Sequence, residues 1–352
     1  MSRVGIIANP AAGKDIRRLV AHGSTFDNNE KINIVRRVLL GLDALGVEQV
    51  HYMPDTYAIV PRAATVRLNL QLCPLPMPVL GTPGDSGEAA RRLADLGVGC
   101  VVTLGGDGTN RIVAQGCRDV PLVAISTGTN NVFPRMVEGT LAGLAAGLVA
   151  TGAVAQEQVV RRLPWLAVLL DGEPRDHALI DVVTSPQPWI GARALWDPAQ
   201  LAEIVLSRIA PAEIGLCSLG GLLFPRAAGG AAGAHIVVGE GDCTVLAPVA
   251  PGLMRAIPIA RAQVLDPGAR VRLGDGPCTV ALDGEREFEV PAAGPALELV
   301  LDPAGPRVVD IDDALRAGAT RGVFVHQCAA EATPDSDSWP GDRRRGAGRV
   351  DS

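Results

Sequence analysis

The apolar residues of this chain change their spacing part-way along. Through roughly the first 155 residues, short β-branched runs alternate with stretches whose apolar positions recur every three or four residues. Arg3–Asn9 reads as a buried strand closed by Pro10, Ala11, Ala12 and Gly13. Ile32, Val35, Val38, Leu39, Leu42 and Leu45 fall on one helical face, and Gly46 ends that pattern. Val47–Met53 is a second strand, and the proline-rich residues 54–80 carry no clear period. Asp85 and Glu88 have capping-box spacing ahead of Ala89, Ala90, Leu93 and Leu96. Val98–Leu104 and Leu122–Ile125 are further strands, with a helix beginning at Ile112 and Val113 between them. Such alternation predicts an α/β domain, a parallel sheet with crossover helices.

Beyond residue 155 the period shortens. Gln158–Asp171 and Asp176–Thr184 read as a hairpin about Asp171-Gly172, and Asp197–Arg208 reads as a helix. From His235 to Val300, short apolar runs are cut by Gly, Pro and Asp turns, which predicts a second, β-rich, sandwich-like domain. Ile311–Leu315 is a last helix and Gly322–Val325 a last strand. The expected organisation is an α/β domain over 1–155, a β-rich domain over 156–305, a segment over 306–328 that returns to the first domain, and a polar disordered tail over 329–352, which includes Arg343-Arg344-Arg345.

Composition narrows the function classes. The chain has 352 residues, 32 basic and 38 acidic side chains and a formal charge of −6. That balance argues against a nucleic-acid partner, which needs a basic face. Hydrophobic residues make up 47% and aromatics only 3%. The core must therefore come from Ala, Val, Leu and Ile. Seven cysteines, at 73, 100, 117, 217, 243, 278 and 328, include no CxxC pair, so neither a disulfide framework nor a zinc site is expected. Leu141–Val154, rich in Ala and Gly, is too short to span a bilayer. Together with an N-terminus lacking a basic n-region, this predicts a cytoplasmic protein with no membrane partner. Self-association is left open.

Three loops follow predicted parallel strands, where α/β sheets bind ligands. Gly105-Gly106-Asp107-Gly108-Thr109 lets backbone approach a ligand closely at a helix N-terminus, a ready anion site. Asp107 suits a base that takes a proton from a substrate hydroxyl, and equally a capping residue in a tight turn. Ser126-Thr127-Gly128-Thr129-Asn130-Asn131 offers neutral hydrogen-bonding groups for phosphates and ribose, or a polar capped turn. Asn9-Pro10-Ala11-Ala12-Gly13-Lys14 lacks the first Gly and the final Ser or Thr of a Walker A loop, so the chain is not a P-loop NTPase. Leu282-Asp283-Gly284-Glu285 reads as a hairpin turn, or as an acidic turn facing a cleft between domains.

Taken together, GGDGT at 105–109, NPAAGK at 9–14, STGTNNVF at 126–133 and LDGE at 282–285 resemble the superfamily of NAD kinases and diacylglycerol-type lipid kinases. ANPAAGKDIRRLVAH at 8–22 and STGTNNVFP at 126–134 narrow the likeness to the ATP–NAD kinase-like family of acetoin catabolism protein X. The resemblance covers about residues 1–328 and implies a two-domain kinase with ATP and its acceptor between the domains. It implies Asp107 as the base, with Mg²⁺ bridging the phosphates and no metal held by the protein's own residues. Asn9, Gly105, Gly106, Gly108, Thr109, Thr127, Gly128, Thr129, Asn130 and Asn131 would bind the nucleotide, and Asp181, Asp283 and Glu285 the acceptor, with NAD first. Ile180-Asp181 stands where NAD kinases carry Asn-Glu. Arg111-Ile112 stands where lipid kinases carry Asn-Glu, and Val132 replaces a lipid-kinase Asp. A small diol, a sugar or a lipid as acceptor, and a nucleotide-binding regulator without turnover, are the alternatives.

Overall fold

Val4 and Ile6 on one face of the first strand, and Ile7 on the other, are all fully buried. A strand covered on both faces needs helices above and below it, and the first domain supplies them. A computed structural model describes residues 1–13, 22–24, 26–187, 198–274 and 276–325. The tail expected over 329–352 and Cys328 lie outside these residues.

β1 (Arg3–Ala8) is followed by α1 (Asn28–Ala44), which Asp27 caps by accepting from the Glu30 N–H. Next come β2 (Gln49–Tyr52), the short α2 (Ile59–Ala63) and β3 (Gln71–Pro74), so the stretch without a clear period holds a helix and an edge strand. α3 (Pro83–Asp95) precedes β4 (Cys100–Gly105); α4 (Asp107–Cys117) precedes β5 (Leu122–Ser126). α3 starts at Pro83 with Thr82 at its N-cap, not at Asp85. Asp85 instead accepts from the N–H groups of Leu80 and Gly81, tying the entry loop to the first turn. α5 (Gly139–Ala150) lies against α1 at backbone distance: a Cβ at Gly143 would stand 2.3 Å from the Val38 carbonyl oxygen.

After α6 (Gln156–Val159), β6 (Val160–Arg162) stays with the first sheet, and the chain then leaves it. β7 (Trp165–Leu170) and β8 (Glu173–Ala178) form the hairpin about Asp171-Gly172, both at positive φ. β9 (Asp181–Ser185) and β10 (Glu203–Leu206) follow. Of the helix expected over Asp197–Arg208, Asp197 lies outside the described residues, Pro198–Gln200 form a single 3-10 turn, and Glu203–Leu206 are instead a strand. Ile204, Val205 and Leu206 are fully buried between two antiparallel neighbours, and Leu201, Ile204 and Val205 fit a helical face only by coincidence of spacing. α7 (Ser218–Leu223), β11 (Gly233–Ala250), β12 (Leu253–Leu265), β13 (Arg270–Arg272), β14 (Cys278–Leu282), β15 (Glu285–Val290) and β16 (Leu297–Asp302) complete the second half. β17 (Arg307–Val309) and α8 (Ile311–Thr320) return to the first domain. Gly322–Val325, expected as a strand, holds turn and coil with no ladder partner.

The first sheet runs β3-β2-β1-β4-β5-β17-β6, parallel except for β6. Two antiparallel sheets, β12-β11-β10-β9-β14-β15 and β13-β16-β7-β8, face each other over a core of Leu166, Val182, Val205, Val280 and Leu299. A separate apolar cluster runs from Ile7 and Val101 of the first sheet through Phe133 to Ile180 and Ile204 of the second half. That shared core seats the two halves against each other and leaves a cleft at the carboxyl ends of β1, β4 and β5.

Candidate functional site

Three loops meet at the cleft because parallel strands in register deliver their ends to one edge. After β1, the Asn9 amide bridges two of them. Its Oδ1 accepts from the Ala11 N–H at 2.8 Å and its Nδ2 donates to Thr109 Oγ1 at 2.9 Å. Lys31 of α1 lies beneath, 1% exposed, and donates from Nζ to the carbonyls of Asn9 at 3.0 Å and Ala12 at 2.8 Å. This lysine lies 22 residues from Asn9, and no motif marks it.

After β4, α4 begins at Asp107 itself with Gly106 as N-cap. The three glycines do different work. A Cβ at Gly105 would stand 2.6 Å from Thr109 Cβ, and one at Gly106 would stand 2.9 Å from Asn131 Oδ1. Gly108 faces the cleft, where a Cβ would meet Glu285 Oε2 at 4.0 Å. Asn110 braces the turn from below by accepting from Thr103 Oγ1 at 2.6 Å and donating to the Gly106 carbonyl at 2.9 Å. The Asp107 carboxylate lies at the cleft wall and accepts from the N–H groups of Val132 at 3.1 Å and Phe133 at 2.8 Å. The residue read as a base thus also clips the second loop to the third.

After β5, Ser126 Oγ donates to the Gly128 carbonyl at 2.6 Å and accepts from Asn131 Nδ2 at 2.8 Å. Thr129 exchanges hydrogen bonds with Ser24, at 2.8 Å to its Oγ1 and 3.0 Å from its N–H. Thr127 Oγ1 is buried at the cleft wall with no hydrogen-bond partner among the described residues. The cleft measures about 330 Å³. Asn9, Gly106, Asp107, Gly108, Thr109 and residues 127–131 line it, as do Asp283 and Glu285 from the second half.

Two expected site residues are not on its wall. Gly105 ends β4 behind the loop, where its missing Cβ makes room for Thr109. Asp181 opens β9 and is buried behind the Asp283 turn, to which its N–H points at 3.4 Å.

A family model described as the ATP-NAD kinase N-terminal domain matches residues 4–153, and one described as the acetoin catabolism protein X C-terminal domain matches residues 164–302. Acetoin catabolism protein X of Cupriavidus necator (strain H16) is 41% identical over 313 residues, covering 85% of this chain and 86% of that protein. This chain belongs to the acetoin catabolism protein X family. Solved diacylglycerol kinase-type structures from Bacillus anthracis str. Sterne are similar in outline. One is 14% identical with a TM-score of 0.47, covering 88% of this chain and 97% of its own; another is 13% identical with a TM-score of 0.41 over the same shares. The fold is thus of the NAD kinase type: a mostly parallel α/β sheet joined to antiparallel β-sheets.

In this family member the far wall of the cleft is ionic. Asp283 and Gly284 turn the β14–β15 hairpin with φ of 51° and 79°. The fully buried Asp283 carboxylate accepts from the N–H groups of Ile180 at 2.7 Å and Leu179 at 3.1 Å. Burial pushes its pKa above the usual carboxylate range, against the opposing pull of Arg111 and those N–H groups. Arg111, one helical turn beyond Asp107, reaches Asp176 at 2.9 Å, Asp283 at 3.6 Å and Glu287. Burial disfavours its charge, but the three carboxylates outweigh that and raise its pKa. Gln115 adds a bond to Asp176 at 2.6 Å. Sequence reasoning noticed Arg111 only as a departure from the lipid-kinase pattern and missed Asp176 and Glu287. A signal was present in the sequence: Glu285, Glu287 and Glu289 recur at every second position, although a bulge between Arg286 and Phe288 keeps them from sharing one face of β15.

Among the described residues, no group of three His, Cys, Asp or Glu is placed to hold a metal ion. None of the described helices is long and apolar enough to cross a membrane.

Proposed function

We propose that this protein is a phosphotransferase that seats ATP on the three loops and passes its terminal phosphoryl group to an alcohol. NAD is the first acceptor to test. The observation that carries the reading is the convergence of three cross-tied loops on one cleft whose wall includes Asp107. The loops offer a helix N-terminus, glycine backbone and the Thr127 hydroxyl, which suit polyphosphate without asking the protein for charge. In the transfer, the acceptor oxygen forms the new O–P bond as the bond to the leaving ADP breaks. The acceptor's proton passes to the Asp107 carboxylate. The N–H groups of Val132 and Phe133 hold that carboxylate in place at the cleft wall. Phosphoryl transfer tolerates a weak base because positioning and charge stabilisation do most of the catalysis. With no metal cluster among the described residues, Mg²⁺ would be carried by the triphosphate, where it offsets phosphate charge. We also propose a cytoplasmic location.

The test is a coupled assay of the purified chain with ATP, Mg²⁺ and NAD, read as NADP, with polyphosphate as a second donor. Absence of NADP with either donor removes NAD as acceptor. Small diols, sugars and a diacylglycerol then follow in the same assay, read as ADP. Asp107→Asn is expected to lower turnover about 10²–10⁴-fold; unchanged turnover refutes its role as base.

One observation favours a second reading, a nucleotide-binding regulator of acetoin breakdown. Both Asp107 oxygens already accept backbone N–H bonds, a structural use that needs no turnover. Tight ATP binding with no product across the acceptor panel decides for it.

A further inference from the structure

The two aspartates of the cleft are held in the same manner, each by consecutive backbone N–H groups. Val132 and Phe133 hold Asp107, and Leu179 and Ile180 hold Asp283. One side chain touches both holding segments. Arg208, just past β10, lays its guanidinium over the buried Phe133 ring, 5.7 Å from the centroid, and donates from Nη2 to the Leu179 carbonyl at 3.4 Å. Its Nε is buried. No sequence motif marks it.

We infer that Arg208 is a positioning residue that sets both cleft carboxylates at once, across the boundary between the two halves. In its kinetic part the inference rests on the proposed phosphoryl transfer; in its structural part it does not. The geometry carries it. A cation over an aromatic face is attracted to the ring, so Arg208 anchors Phe133 and with it the N–H that reaches Asp107. The bond to the Leu179 carbonyl, which also accepts from Ser207 Oγ at 2.6 Å, adds to the hold on the peptide whose N–H reaches Asp283. The charge also acts directly, because Asp107 and Asp283 both lie within its electrostatic reach. A nearby cation favours an ionised carboxylate. The other charged or titratable groups facing this region are Glu213, the Cys217 thiol, Asp181 and Arg111. Arg135 stands 4.0 Å from Glu213 on its outer side.

The test is carboxylate NMR on the full chain labelled at aspartate, with Asp107→Asn and Asp283→Asn assigning the two signals. In Arg208→Met both titration midpoints are expected to rise by about one pH unit. Arg208→Lys keeps the charge and should leave both near the wild-type values. Phe133→Leu keeps the N–H but removes the ring, so it should raise the Asp107 midpoint alone. If Arg208→Met does not unfold cooperatively, Phe133→Leu decides: an unmoved Asp107 midpoint overturns the inference. It is equally overturned if a folded Arg208→Met leaves both midpoints in place. The kinetic arm follows the acid limb of kcat, expected to move up with Asp107 while KM for ATP stays within about threefold; an unmoved limb beside a shifted midpoint limits Asp107's link to the rate and overturns that arm. If the wild-type chain turns over no acceptor, the phosphotransferase reading falls while the titrations still decide the role of Arg208.

Discussion

The two walls of the cleft are held together by different forces. On the loop wall, one amide, two hydroxyls and a run of backbone N–H groups tie Asn9 to Thr109, Ser24 to Thr129 and the third loop to Asp107. On the hairpin wall, a buried guanidinium is matched by three carboxylates. A wall whose donors are neutral, two of them already held by the Asp107 carboxylate, can receive an anion without displacing an internal counter-ion. A wall whose one buried cation is already matched serves instead to lock two domains in register. On the proposed reading, ligand chemistry and domain architecture occupy opposite sides of one crevice, so each is expected to break without the other.

The largest effect is expected on the ionic wall. Arg111→Met leaves the buried Asp283 without its cation and should cost about 3–5 kcal/mol of stability, read as a lowered urea midpoint. ATP affinity of the folded fraction should change by less than about threefold. A stability loss under about 1 kcal/mol would break the contrast, because the wall would then not depend on charge. The converse change is Gly106→Ala, whose Cβ would stand 2.9 Å from Asn131 Oδ1. Calorimetry should show ATP binding weakened about tenfold, with a stability loss of roughly 1–2 kcal/mol. Undiminished binding would move the nucleotide off the loop wall. A smaller step is Thr109→Val, which removes the hydroxyl that accepts from Asn9; about 1 kcal/mol of stability should go.

The smallest expected effect comes from a hydrogen-bonded carboxylate away from the cleft, which sharpens the comparison by separating charge from location. Glu203 bonds His235 at 2.7 Å and the Gly274 N–H at 2.7 Å. The His235 hydrogen bond chiefly holds the Glu203 carboxyl below its ordinary value of 4.5. A depressed carboxylate adds stability above its unfolded pKa and loses it as pH falls through the folded one. Wild-type stability should therefore decline as pH drops below about 4.5 by ~1 kcal/mol more than that of Glu203→Gln. Equal acid limbs in denaturant titrations would show that this pair adds nothing.

Much of the loop wall was legible because its requirements are local. A strand, a glycine turn and a helix N-terminus are written within GGDGT and its flanks, and a strand end and a polar turn within STGTNN, whose next helix starts only at Gly139. The exceptions are instructive. Gly105 looked like a phosphate contact because it shares the motif, but its place is set by Thr109 packing against it. Asp181 looked like an acceptor ligand from the likeness to NAD kinases, but the turn at Asp283 covers it. The misread helix over Asp197–Arg208 failed for a different reason. A run of four apolar-rich residues fits either period, and only the flanking strands β9 and β11 choose between them.

By itself the sequence determined the α/β and β-rich halves, the three loops at the strand ends and the chemical types gathered in them. Positive φ, capping and burial on both faces of a strand are demands that a few consecutive residues meet or fail. Only the tertiary structure decided the ionic wall and the Arg208 bridge. Arg111 finds partners 65 and 176 positions away, and Arg208 touches Phe133 across the domain boundary. Pairing over such separations depends on sheet order and register, and a charge in a sequence carries no information about which distant strand will be laid beside it.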